Sequence, residues 1–128
     1  MCRNLVGKGN LSKPLILYNR TPGRAEALSV ELGKDQTQVA TSIEDAVKAA
    51  DIIFSCVGND AAVKEMIDTA LKVDVNGKIF VECSTIAPDT TNALAKSVEA
   101  KGAAYLASPG AYLAAFDSQF NRSCYNLP

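Results

Sequence analysis

Three short polar groups stand where apolar runs stop, and their side chains could do chemistry. The first is Asn19-Arg20-Thr21, after Leu15-Ile16-Leu17-Tyr18. The second is Cys56-Val57-Gly58-Asn59-Asp60, after Ile52-Ile53-Phe54-Ser55. The third is Ser84-Thr85-Ile86-Ala87-Pro88, after Lys78-Ile79-Phe80-Val81-Glu82-Cys83. The Arg20 guanidinium is a planar fork suited to phosphate, and Asn19 and Thr21 add neutral donors. Where a dinucleotide fold meets the adenosine ribose, an acid binds the free 2′-hydroxyl and a cation accommodates a 2′-phosphate. This group has no acid, which favours NADP over NAD; a solvated arginine beside a helix cap explains it equally well. Gly58 lets a ligand approach the backbone, or simply makes a turn before an Asn/Asp cap. The Ser84 and Thr85 hydroxyls could bond an amide or a carboxylate, or cap the next helix.

Other chemistries are excluded. The chain has no histidine, so it holds no Ser-His-Asp or Cys-His pair and no histidine-bearing zinc site. Its cysteines, at 2, 56, 83 and 124, form no CxxC hook. Cys56 and Cys83 lie in apolar runs and read as small buried hydrophobes. This usage fits a reducing compartment, and the expectation is a cytoplasmic protein. Lysine plus arginine total 13 against 14 acids, a net charge of -1 at pH 7. That balance argues against a polybasic nucleic-acid grip and against a basic membrane-surface patch. No metal ligand set is expected.

The elements that must position these groups alternate in type. In 128 residues there is room for one domain with a true core. Thr21 and Pro22 have the types of an N-cap and a first helical residue, and Ala25, Leu28, Ser29 and Leu32 share one helical face before Gly33. Val39-Ala40 reads as a brief strand. Ser42 and Asp45 have capping-box spacing. Ile52 to Val57 reads as a strand buried on both faces. Val63, Met66, Ile67, Ala70 and Leu71 give the cleanest helical period in the chain. Pro88 opens a helix with Thr91, Leu94, Ala95 and Val98 on one face, Gly102 caps it, and Ala104-Tyr105-Leu106-Ala107 is a last strand. Strands alternating with helices through short connections predict a parallel α/β sheet. Tyr112, Leu113, Phe116 and Phe120 could form a helical turn or two in a divergent tail over residues 110–128.

Together the three groups fall at successive strand ends with the spacing of one family. The run from Leu15 to Pro109 resembles the nucleotide-binding domain of the β-hydroxyacid dehydrogenases, which include 3-hydroxyisobutyrate and 6-phosphogluconate dehydrogenases. The matching pieces are Tyr18-Asn19-Arg20-Thr21, Ala50-Asp51-Ile52-Ile53-Phe54, Val81-Glu82-Cys83-Ser84-Thr85-Ile86-Ala87-Pro88 and Gly102-Ala103-Ala104-Tyr105-Leu106-Ala107-Ser108-Pro109. The resemblance implies NADP contacts at Asn19, Arg20 and Thr21, further cofactor contacts at Cys56, Val57 and Thr85, and Ser84 near a substrate carboxylate. It implies a parent reaction of hydride transfer between a small 3-hydroxy acid and NADP.

The departures shape the expectation. The family opens with a strand and a GxGxxG loop that seats the pyrophosphate on a helix N-terminus. Here Met1 to Gly9 reads as the latter part of the helix after that loop, with Gly7 and Gly9 ending it. After Pro109 the pattern stops. No residue matches the family's catalytic lysine, and Lys78, Lys96 and Lys101 lie outside that motif. The expected architecture is a Rossmann-like parallel sheet lacking its first strand and Gly-rich loop: a partial NADP-binding domain over residues 1–109, truncated at both ends. The missing strand exposes two inner edges, so either the strands flanking it pair with each other or the chain is prone to edge association. The expected function is a catalytically incompetent NADP-binding piece of an oxidoreductase with weak or lost affinity. The alternative is a non-catalytic fragment that associates with a full-length relative by strand addition.

Overall fold

The computed structural model describes residues 1–109, so the helical turn expected around Tyr112 to Phe120 lies outside the described residues. The chain divides into two compact units, Met1–Ala50 and Asp51 onward.

In the first unit, α1 (Cys2–Lys8) precedes β1 (Leu15–Leu17), α2 (Pro22–Leu32), β2 (Thr37–Val39) and α3 (Ile43–Ala49). Gly7 lies inside α1 and Gly9 caps it, donating its amide to the Leu5 carbonyl, as expected of a helix end. β1 and β2 pair in parallel, from Leu15 opposite Thr37 to Leu17 opposite Val39. Thr21 stands at the N-cap of α2 with Pro22 behind it, although the threonine side chain makes no capping bond. Ala25 and Ser29 are buried, while Leu28 and Leu32 are half-buried. Gly33 ends α2 at φ 101°, in the region that favours glycine. The second strand begins earlier than the apolar pattern predicts. The Thr37 hydroxyl bonds the Ser29 hydroxyl at 2.7 Å and donates to the Gly33 carbonyl at 2.8 Å, which draws a polar residue into the ladder. The Ser42 hydroxyl accepts from the Asp45 amide at 3.0 Å, as the capping spacing predicts.

In the second unit, β3 (Ile52–Ser55), α4 (Asp60–Ala70), β4 (Ile79–Glu82), α5 (Pro88–Glu99) and β5 (Ala104–Ala107) follow. The strands form a three-stranded sheet in the order β3-β4-β5. All pairs are parallel, with Ile52 opposite Ile79 and Ile79 opposite Ala104. Phe80, Val63, Ile67, Ala70, Val75, Leu94 and Val98 are the buried core. Asn59 starts α4: its Oδ1 accepts from the Ala62 amide at 2.9 Å. Asn59→Ala is therefore expected to lower stability by about 1 kcal/mol, read from a urea unfolding midpoint.

The described strands form two parallel sheets, β1-β2 and β3-β4-β5. One expectation is corrected. β3 is not buried on both faces: Ile52 is 51% and Phe54 39% exposed. Side chains alternate across a strand, so Ile52, Phe54 and Leu106 share one sheet face, opposite Ser55, Phe80 and Glu82. Val81 on the central strand lies on the same face as Phe54 and is 7% exposed, so the exposure belongs to the edge strands β3 and β5 rather than to the whole face.

Candidate functional site

At the carboxyl end of β1 the chain turns into α2 through Asn19, Arg20 and Thr21, all exposed. The Asn19 Oδ1 accepts from the Thr21 amide at 2.9 Å, so this side chain shapes the turn and keeps its NH2 free to donate. Among the described residues the Arg20 guanidinium has no ion pair and no hydrogen bond, whereas Arg3 is paired with Glu31. The first turn of α2, an eleven-residue helix, carries no acid. An unneutralised guanidinium beside the positive end of a helix is suited to an anion.

In the second unit a hydrogen-bonded chain staples the ends of β3 and β4. Glu82 is 2% exposed. Its Oε2 accepts from the Ser55 hydroxyl, and its Oε1 accepts from the Ser84 amide at 2.7 Å. The Ser84 Oγ in turn accepts from the Val57 amide at 2.7 Å. A buried carboxylate is costly unless hydrogen-bonded, and these two donors meet that cost. The Tyr105 hydroxyl is enclosed without a partner among the described residues. Burial pushes it up to about 12, and the nearby Glu82 charge adds to the rise. One layer out, the Thr90 hydroxyl and the Ala87 amide bond Asp60 and hold its carboxyl below the usual range. That contact ties the start of α4 to the start of α5.

The structure thus brings together two of the residues singled out in the sequence, Val57 and Ser84. Ser84 is buried, and its oxygen is already engaged; its hydroxyl proton is what remains to offer a ligand. The Val57 amide is spent, leaving its carbonyl and side chain. Thr85 is exposed one residue further on. Cys56 is a correction: it is exposed, not a buried hydrophobe, because it lies past the last paired residue of β3, an edge strand of its sheet. Cys83 is buried as expected. Asn19, Arg20 and Thr21 belong to the first unit. Glu82 was missed as a site residue. Its signal was present: a carboxylate in the otherwise apolar run Ile79-Phe80-Val81 must find donors if its strand is central. Ser84→Ala leaves the Val57 amide without its acceptor and is expected to cost about 1–3 kcal/mol in urea unfolding.

A family profile described as the NAD binding domain of 6-phosphogluconate dehydrogenase matches residues 1–111. The NADH-dependent oxidoreductase ucdB of Aspergillus ustus is 40% identical over 109 residues, covering 85% of this chain and 38% of that protein. The mitochondrial 3-hydroxyisobutyrate dehydrogenase of Rattus norvegicus is 33% identical over 112 residues, covering 85% of this chain and 31% of that protein. Among solved structures, a reductive aminase from Aspergillus terreus in complex with NADPH and ethyl levulinate superposes with a TM-score of 0.66 at 25% identity. It covers 81% of this chain and 34% of that one. The chain therefore spans about a third of the length of these relatives. The parallel strands and helices are those of a Rossmann-like dehydrogenase domain.

Proposed function

Because the chain belongs to the family of the NAD binding domain of 6-phosphogluconate dehydrogenase, we propose that it is the NADP-binding portion of an oxidoreductase resembling 3-hydroxyacid dehydrogenases. The nicotinamide nucleotide would supply hydride chemistry, exchanged in the parent enzyme with a small 3-hydroxy acid. The observation that carries the choice of NADP is Arg20, without a partner among the described residues, beside an acid-free helix start. Arg20 would face the 2′-phosphate, with Asn19 and Thr21 donating beside it. Cys56, Val57 and Thr85 would line the nucleotide further along, and Ser84 would direct its hydroxyl proton at a substrate carboxylate. One relative is named as NADH-dependent and another is crystallised with NADPH, so relatives differ in coenzyme and Arg20 decides the reading here.

These 128 residues by themselves would bind NADPH weakly and turn nothing over. Gly7 lies within α1 and Gly9 caps it, which leaves the diphosphate no glycine loop in this stretch. No residue here matches the family's catalytic lysine. Calorimetric titration with NADPH tests the affinity: weak binding is expected, and a dissociation constant in the low micromolar range would overturn this part of the reading. The location would be cytoplasmic; no described helix is long and apolar enough to cross a membrane.

A second reading is favoured by the exposed edge-strand residues Ile52, Phe54 and Leu106. On that reading, the chain associates with a longer relative without catalysing anything. Size-exclusion chromatography with the relative added distinguishes the readings; a monomer indifferent to the relative removes this one.

A further inference from the structure

Cys56 and Cys83 stand opposite each other where β3 and β4 end. The Cys83 amide donates to the Ser55 carbonyl at 2.8 Å. In a parallel ladder that bond is made when the residue after Ser55 is the partner of Cys83. The offset is the one that pairs Ile52 with Ile79 and Ser55 with Glu82. The Ser55 and Glu82 side chains bond each other on one face of the sheet, so the next residue on each strand projects from the opposite face. Both thiols therefore leave the sheet on one side. Paired strands lie about 4.8 Å apart, inside the Cα window of about 4.4–6.8 Å that a disulfide accepts. The side chains must still close slightly. Cys56 sits outside the paired residues and Gly58 follows, with open space around it, so the backbone can give there.

The two thiols differ in access. Cys56 is exposed. Cys83 is 5% exposed. Burial, helped by the neighbouring Cys56 sulfur and Glu82 carboxylate, pushes the Cys83 thiol up to about 11. A soluble oxidant thus meets Cys56 first, and Cys83 is protected until a disulfide is offered to it from Cys56.

We propose that Cys56 and Cys83 are a reversible oxidation site, in which Cys56 takes glutathione from glutathione disulfide and Cys83 resolves the adduct to an intramolecular disulfide. The Cys56 thiolate attacks one sulfur of glutathione disulfide; the S–S bond breaks and one glutathione thiolate leaves. The Cys83 thiolate then attacks the Cys56 sulfur, and the second glutathione leaves. The two cysteines give up two protons and two electrons, and glutathione disulfide is reduced to two glutathiones. The site stands on the sheet register and is independent of the nucleotide reading, although the new bond would fix the residues preceding Val57 and Ser84.

The test uses the full chain as the double variant Cys2→Ser/Cys124→Ser, which leaves Cys56 and Cys83 as its only cysteines. It is incubated with glutathione disulfide in mildly alkaline buffer, alkylated under denaturing conditions, and read by intact mass and peptide mapping. The expected result is loss of two hydrogens in mass, loss of both alkylatable thiols, and a Cys56–Cys83 linked peptide. Adding Cys83→Ser to this background should instead trap one glutathione on Cys56. The proposal is overturned if the double variant retains glutathione on Cys56 with Cys83 still alkylatable, or if neither thiol is oxidised.

Discussion

Phe80→Ala should destabilise the second unit by about 3–5 kcal/mol, the range for emptying a fully buried aromatic site. Phe80 is 1% exposed on β4, the central strand of its sheet. Its side chain leaves the face it shares with Ser55 and Glu82, both also buried, and belongs to the core that includes Val63, Ile67, Leu94 and Val98. A central strand between two partners cannot shift toward the void without breaking both ladders, so the cavity stays open. Domains of this size hold only about 5–15 kcal/mol in total. A loss on this scale brings the chain close to unfolding at ordinary temperature. Urea unfolding followed by circular dichroism reads the loss directly. The internal control is Ile52→Ala, on edge strand β3 of the same sheet, where 51% exposure leaves little burial to lose. Its expected cost is below about 1 kcal/mol. Equal losses at the two positions would contradict the assignment of core and edge.

Arg20→Glu should weaken NADPH binding by about 10-fold or more, equivalent to about 1.4 kcal/mol or more. The substitution replaces a cation with an acid of the kind that suits a free 2′-hydroxyl. NADH binding should therefore hold steady or improve. Arg20→Lys keeps the charge and loses the fork, so it should fall between wild type and Arg20→Glu. The fold should not register the change: Arg20 is exposed and unpaired among the described residues, and such substitutions stay within about 0.5 kcal/mol. Measuring the unfolding midpoint beside the two titrations separates recognition from stability. An equal loss for NADH and NADPH would remove Arg20 from coenzyme choice.

What the sequence disclosed was local. The spacing of Val63, Ile67 and Ala70 located α4, and Ser42 with Asp45 located the start of α3, because helix period and capping are written in a few neighbouring residues. Arg20, Ser84 and Thr85 were legible as strand-end residues for the same reason. What covers a face is not local. Ile52 and Phe54 read as buried on hydrophobicity alone, and so did Cys56; they are exposed because β3 is an edge strand, whereas Val81 and Cys83 on the central strand are buried. Glu82 escaped notice because its partners are a hydroxyl on another strand and an amide two residues ahead, a pattern that exists only once β3 and β4 pair.

The central claim is that nucleotide recognition resides in the rim at the end of β1. Amide chemical-shift mapping of the isotopically labelled chain, titrated in parallel with NADPH and NADH, tests it most directly. The Asn19, Arg20 and Thr21 amides are expected to shift with NADPH and to respond far less to NADH. Equal shifts with both nucleotides, or a response to NADPH that bypasses these three residues, would contradict it.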